Sequence, residues 1–72
     1  MRAISDVTGI EYEMEEVVFF RNLYQSSFYV DHNATIVDVF TDGNKKLVFV
    51  FWRDQHDKLI KLWLENKKEE QM

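Results

Sequence analysis

Six consecutive apolar residues, Leu47 to Trp52 in "KKLVFVFWRD", constrain this chain more than any other feature, because charge bounds them closely on both sides. A strand points alternate side chains to opposite faces, so Phe49 and Phe51 go one way and Val48, Val50 and Trp52 the other. Both faces of such a strand need cover. The chain has 72 residues, which is room for one small core. It has no cysteine, so neither a disulfide framework nor a thiolate metal site can staple that core. Stabilisation then falls to large side chains, and six Phe, three Tyr and two Trp supply them.

The apolar run has an obvious neighbour. "TIVDVFT" (35–41) is rich in β-branched residues and "TDGN" (41–44) is turn chemistry, which together predict a hairpin with residues 46–52. A four-residue loop, Asp42 to Lys45, pairs Phe40 with Leu47, Val39 with Val48 and Val37 with Val50. A three-residue loop shifts every pair by one, and the sequence leaves both registers open. Asn22 stands where an N-cap belongs and Asn33 where a left-handed cap belongs, so the segment between them predicts a helix over 23–32. Leu23, Ser26, Ser27 and Val30 share one stripe of that helix, with Tyr24 and Phe28 adjoining.

A second helix is predicted from Asp54 or Gln55, where Asp54 and Asp57 suit the positive end of a helix dipole. His56, Leu59, Ile60, Trp63 and Asn66 recur at three- and four-residue steps, with Leu62 and Leu64 widening the stripe. The charged tail 67–72 is expected to fray. In the N-terminal third, Thr8 and Glu11 have capping-box spacing, while Ile10, Tyr12 and Met14 alternate with acids as an edge strand does. A strand over 15–20 is preferred; residues 1–14 form an acidic segment, either unassigned or an edge strand. The expected architecture is α+β: a two-layer sandwich over 15–66 with a three-stranded sheet and two helices on one face, in the order β-α-β-β-α.

Net charge is −4, unevenly spread. Arg2 faces Asp6, Glu11, Glu13, Glu15 and Glu16 in the first sixteen residues, whereas Lys45, Lys46, Arg53, Lys58 and Lys61 outnumber the acids between 45 and 66. An acidic front end argues against binding nucleic acid by phosphate neutralisation. The start of the chain passes directly to acids instead of a signal peptide's apolar core, and the longest apolar run is too short for a bilayer. A cytoplasmic protein with no membrane partner is expected.

Catalytic and metal motifs are missing in any specific form. His32 and His56, with Asp31, Asp54 and Asp57, are the one conceivable ligand set, but no two histidines stand four apart on a helix. Ser26 and Ser27 fall in mid-helix without a glycine-flanked elbow, and read as small residues that let the helix approach the sheet. No enzyme activity, metal or cofactor is expected.

"FFRNLYQSSFYVDHNATIVDVFTDGNKKLVFVFWRDQHDKLIKLWLEN", Phe19 to Asn66, resembles small domains found in phages and integrative elements of Gram-positive bacteria. Their pattern is a strand, a helix ending Phe-Tyr-aliphatic-x-x-Gly, a hairpin whose second strand reads close to "VFVF", and a helix containing Trp. The matching positions are Phe28, Tyr29 and Val30, then Val48 to Phe51, then Trp63. Asn33 departs from the pattern's glycine. The resemblance implies a fold and a genomic neighbourhood, and brings no activity with it.

Two short helices cover one sheet face and leave the other, so the expected function is a protein-interaction module, most simply a homodimer, joined through Val37, Val39, Val48, Val50 and Trp52. A host protein is another possible partner. Two alternatives stand beside it. Single-stranded nucleic acid would stack on the aromatic strand and meet Lys45, Lys46 and Arg53. An acidic inhibitor of a host DNA-binding enzyme would present Glu11, Glu13, Glu15 and Glu16.

Overall fold

Where the two faces of the apolar strand find their cover is answered by the computed structural model, which describes residues 2–70. Two short strands come first, β1 (Arg2–Ile4) and β2 (Glu11–Glu13), then a single 3-10 turn at Met14–Glu16. β3 (Val17–Phe20), α1 (Leu23–Asp31), β4 (Ile36–Thr41), β5 (Leu47–Trp52) and α2 (Arg53–Glu70) follow. The protein is α+β with two helices and two sheets. β5 is the centre of an antiparallel sheet ordered β3-β5-β4, while β1 and β2 form a separate hairpin.

That hairpin is the departure from the expected two layers. Phe51 packs on Tyr29 of α1 at 5.6 Å, which fixes Phe49, Phe51 and their cross-strand partners on the helical side. Val17, Val37 and Val50 gather instead around Tyr12 of β2, with Ala3, Ile10 and Trp52 at the margin. The sheet is therefore covered by helices on one face and, over Val17, Val37 and Val50, by the N-terminal hairpin on the other, where Phe19 and Phe40 pack edge to face at 6.2 Å and stay exposed. Gly9 makes the hairpin turn possible, since its φ of 76° is a conformation that only glycine adopts freely. Thr8 starts no helix: its hydroxyl donates to the Val37 carbonyl at 2.6 Å.

The hairpin is tied down by one buried carboxylate. Asp38 is 8 % exposed, and it accepts from the Ser5 hydroxyl at 2.6 Å, the Tyr12 hydroxyl at 2.7 Å and the Val39 amide at 2.8 Å. A β-bulge between Ile36 and Asp38 makes this possible, because it directs Val37 and Asp38 to the same side where plain alternation would separate them. Burial by itself would raise the Asp38 pKa, but its hydrogen bonds from Ser5, Tyr12 and Val39 outweigh that and hold it below the ordinary 3.8. Burial, and then Asp38 itself, pushes the Tyr12 phenol up to about 12.

Several boundaries differ from expectation for local reasons. The β4–β5 hairpin closes over a three-residue loop, Gly43 to Lys45, since Thr41 pairs with Leu47 and the Asp42 amide donates to the Lys46 carbonyl. Phe40 therefore faces Val48 and Val39 faces Phe49, the one-residue shift of the three-residue loop, which holds as far as the bulge at Asp38. Lys45 takes the left-handed conformation (φ 64°) that closes the turn, and Asp42 organises it by accepting from the Asn44 and Lys46 amides. Asn22 caps α1 by accepting from Tyr24 and Gln25, and Asn33 is left-handed (φ 69°), both as predicted. α2 begins at Arg53 and continues to Glu70, through residues expected to fray; 71 and 72 lie outside the described residues. Its half-buried positions include the predicted His56, Leu59, Ile60, Trp63 and Asn66, whereas Leu62 and Leu64 are exposed.

Tyr12→Phe should lower stability in urea by about 1.5–3 kcal/mol, the usual worth of a hydrogen bond to a charged group. The acid limb follows from the sign of the Asp38 shift. Its stabilisation is complete above pH 3.8 and is lost as pH falls through the lower folded value. Glu13 and Asp42 are also held low by Arg2 and Arg21, so the Asp38 share is the difference between wild type and Asp38→Asn, whose stability should fall less steeply with acid. An identical acid slope in the two proteins contradicts the tie.

Candidate functional site

α1 has two faces that compete for burial. The predicted stripe offers Leu23 and Val30, while Gln25, Ser26 and Tyr29 offer a larger ring with polar company. Tyr29 wins, because an aromatic side chain buries more area than Leu or Val. Its ring is fully buried between Phe20 at 5.5 Å and Phe51 at 5.6 Å. Its hydroxyl accepts from Gln25 Nε2 at 3.1 Å, which leaves the hydroxyl proton for His56 Nδ1 at 2.8 Å. Burial pushes the Tyr29 phenol up; the Gln25 hydrogen bond works against this and the Asp57 charge adds to it.

Turning Tyr29 inward leaves Leu23 59 % and Val30 43 % exposed. Between them and the sheet lies a hollow of about 230 Å³ lined by Leu23, Ser26, Ser27, Val30, Asp31, Ile36 and Phe49. It continues, sharing Leu23 and Phe49, into a second hollow of about 370 Å³ where Leu47 is 49 % exposed and Arg21, Lys45 and Lys46 form the rim. The two make one apolar groove along α1. One polar atom beside it is anomalous: the Ser26 hydroxyl is buried and has no hydrogen-bond partner.

The groove's ends differ in charge. Arg21 pairs with Asp42 at 2.8 Å, and that partner, with the Asn44 and Lys46 amides, holds the Asp42 carboxyl low. Among the described residues Lys45 and Lys46 form no ion pair, and neither does Asp31 at the far end.

The residues expected to form an interface are placed differently. Val37, Val48 and Val50 are buried within the single chain, and Trp52 is half-buried at the margin of the hairpin core. Val39 pairs with Phe49 and so lies on the helical face, away from the other four. Residues 2–13 occupy the part of the expected open face around Val17, Val37 and Val50, and Phe19 and Phe40 stay exposed on the rest of it. The contact that secures this cover, Tyr12 to Asp38 across 26 residues, carries no local sequence signal; Gly9 is the one hint of the turn.

The cations proposed to meet nucleic acid are not gathered either. Lys45 and Lys46 sit at one end of β5, while Arg53 follows its other end and donates to the Glu15 and Val17 carbonyls. Phe51, the inner aromatic of the strand, is fully buried. Of the acidic set, Glu11 and Glu13 hold Arg2, and Glu16 accepts from the Glu13 amide. His32 stacks on Phe28 at 4.1 Å and bonds its carbonyl through Nδ1. Among the described residues no three His, Asp or Glu side chains gather as a metal site, and no helix is long and apolar enough to cross a membrane.

Comparison with protein-family models, with curated proteins and with solved structures gives no match. The class is therefore set by geometry alone: an α+β domain with helices on one sheet face, a hairpin over part of the other, and an apolar groove beside α1.

Ser26→Ala removes a buried hydroxyl that has no partner, so it should raise stability by about 1 kcal/mol. A thermal melt checks this. A loss of stability would mean that the hydroxyl is satisfied in solution.

Proposed function

We propose that the chain is a non-catalytic protein-interaction module that associates with a second copy of itself through the groove beside α1. The observation that carries this is the contiguous exposure of Leu23, Val30 and Leu47 around half-buried Phe49 and Ile36. Exposed apolar side chains grouped in a concavity mark contact surfaces more reliably than scattered ones, and burying each is worth about 1.5–3 kcal/mol. The self-association expected from the sequence is kept, but its surface moves from the hairpin-covered face to the helical side. A cytoplasmic role in a bacterium carrying a phage or mobile element follows from the resemblance over residues 19–66.

A second copy is favoured over a foreign partner by the chain's size. A small core has little stability in reserve, and association adds to it by mass action. The groove also carries unlike charges at its two ends, so one chain presents both halves of a complementary contact. The histidines do structural work here, His56 on Tyr29 and His32 on Phe28, which supports a binding role over a chemical one.

Light scattering across a concentration series should give a mass that rises toward a dimer. Leu23→Asp with Val30→Asp should return it to the monomer with an unchanged circular dichroism spectrum, since both side chains are exposed in the single chain. A monomer at every concentration, or a variant as heavy as wild type, overturns the proposal.

A further inference from the structure

Resting on that groove reading, we infer that the two copies pair antiparallel about a twofold axis, with Lys45 and Lys46 of each against Asp31 of the other. The groove runs alongside α1 from the β4–β5 turn to the helix C-terminus. Arg21, Lys45 and Lys46 stand at its first end and Asp31 at its second. Arg21 is already satisfied by Asp42, so the charge on offer at the first end is that of the two lysines. A twofold axis set across the groove brings the same patch onto itself with its direction reversed, whereas an axis along the groove would set lysine against lysine. Each basic end then meets an acidic one, twice per dimer. Head-to-tail stacking of the same surface gains neither contact symmetrically.

The spacing along α1 agrees with this arrangement. Leu23, Ser27 and Val30 stand at i, i+4 and i+7, the seam of one helix packed on another. Ser27 is exposed and midway between Leu23 and Asp31, so the twofold axis passes near it. Its small side chain lets two copies of α1 approach closely, while Leu23 of one copy packs toward Val30 of the other. Beneath them Phe49 and Ile36 form the floor.

Charge reversal tests the pairing. Asp31→Lys alone, and Lys45→Glu with Lys46→Glu, should each weaken dimerisation at low salt by about tenfold, and the triple variant should recover most of the loss, as close charge pairs do in double-mutant cycles. Both effects should shrink at 1 M salt, where screening acts within about 3 Å. Because the chain contains no cysteine, Ser27→Cys gives an independent readout: mild oxidation should join two copies across the axis, for which the two Cα atoms must come within about 7 Å. A triple variant no tighter than its parents overturns the antiparallel pairing, as does failure of Ser27→Cys to cross-link at concentrations where wild type is dimeric. If Leu23→Asp still dissociates the dimer in that case, the groove stands and only the orientation falls. If it does not, the groove itself is the wrong surface.

Discussion

A carboxylate kept ionised inside a small protein needs a donor for each direction in which it would otherwise meet water, and Asp38 has three without any cation. Much of the fold depends on how these are arranged. The β-bulge in β4 exists at the one place where Val37 and Asp38 must face the same way, Val37 to fill the core under Tyr12 and Asp38 to reach Ser5 and Tyr12. The polar tie also selects one position of the hairpin, because sliding β2 by a residue would exchange Tyr12 for an acid and strand the carboxylate. A wholly apolar contact would hold the hairpin with less discrimination among registers.

Covering the second face in this way changes the use of the first. With residues 2–13 packed over Val17, Val37 and Val50, those valines are withdrawn from any partner. On the helical face, α1 orients by its largest ring. Tyr29 can be buried only because Gln25 donates to its hydroxyl and His56 accepts from it, and both lie within reach once the helix turns that way. Leu23 and Val30 are then left beside a groove instead of beneath a helix. The exposed apolar groove is thus a consequence of satisfying one phenol, in the same way that the hairpin's position is a consequence of satisfying one carboxylate.

The electrostatic layout has a similar origin. Arg21, Arg53 and Arg2 are each absorbed locally, by Asp42, by the Glu15 and Val17 carbonyls, and by Glu11 with Glu13. Among the described residues Lys45 and Lys46 are left without ion pairs at one end of the groove, and Asp31 at the other. Counts of basic and acidic residues along the chain do not distinguish charges consumed by the fold from charges offered to a partner. That is why a basic segment read as one patch divides between the two ends of β5.

Local chemistry made much of this protein legible in its sequence. Asn22 and Asn33 bound α1 because capping and the left-handed conformation are properties of single residues; β4 and β5 announce themselves through β-branched runs around a turn; the α2 stripe follows from helical periodicity. The need for cover on both sides of β5 was equally plain from six apolar residues in a row. What covers them was decided only in three dimensions, since it turns on contacts between distant residues: Tyr12 with Asp38, Thr8 with Val37, Tyr29 with His56. The bulge and the orientation of α1 belong to the same class. Each is a choice between nearly equal local alternatives, and a hydrogen bond to a buried polar atom outweighs that small difference only after the chain has folded around it.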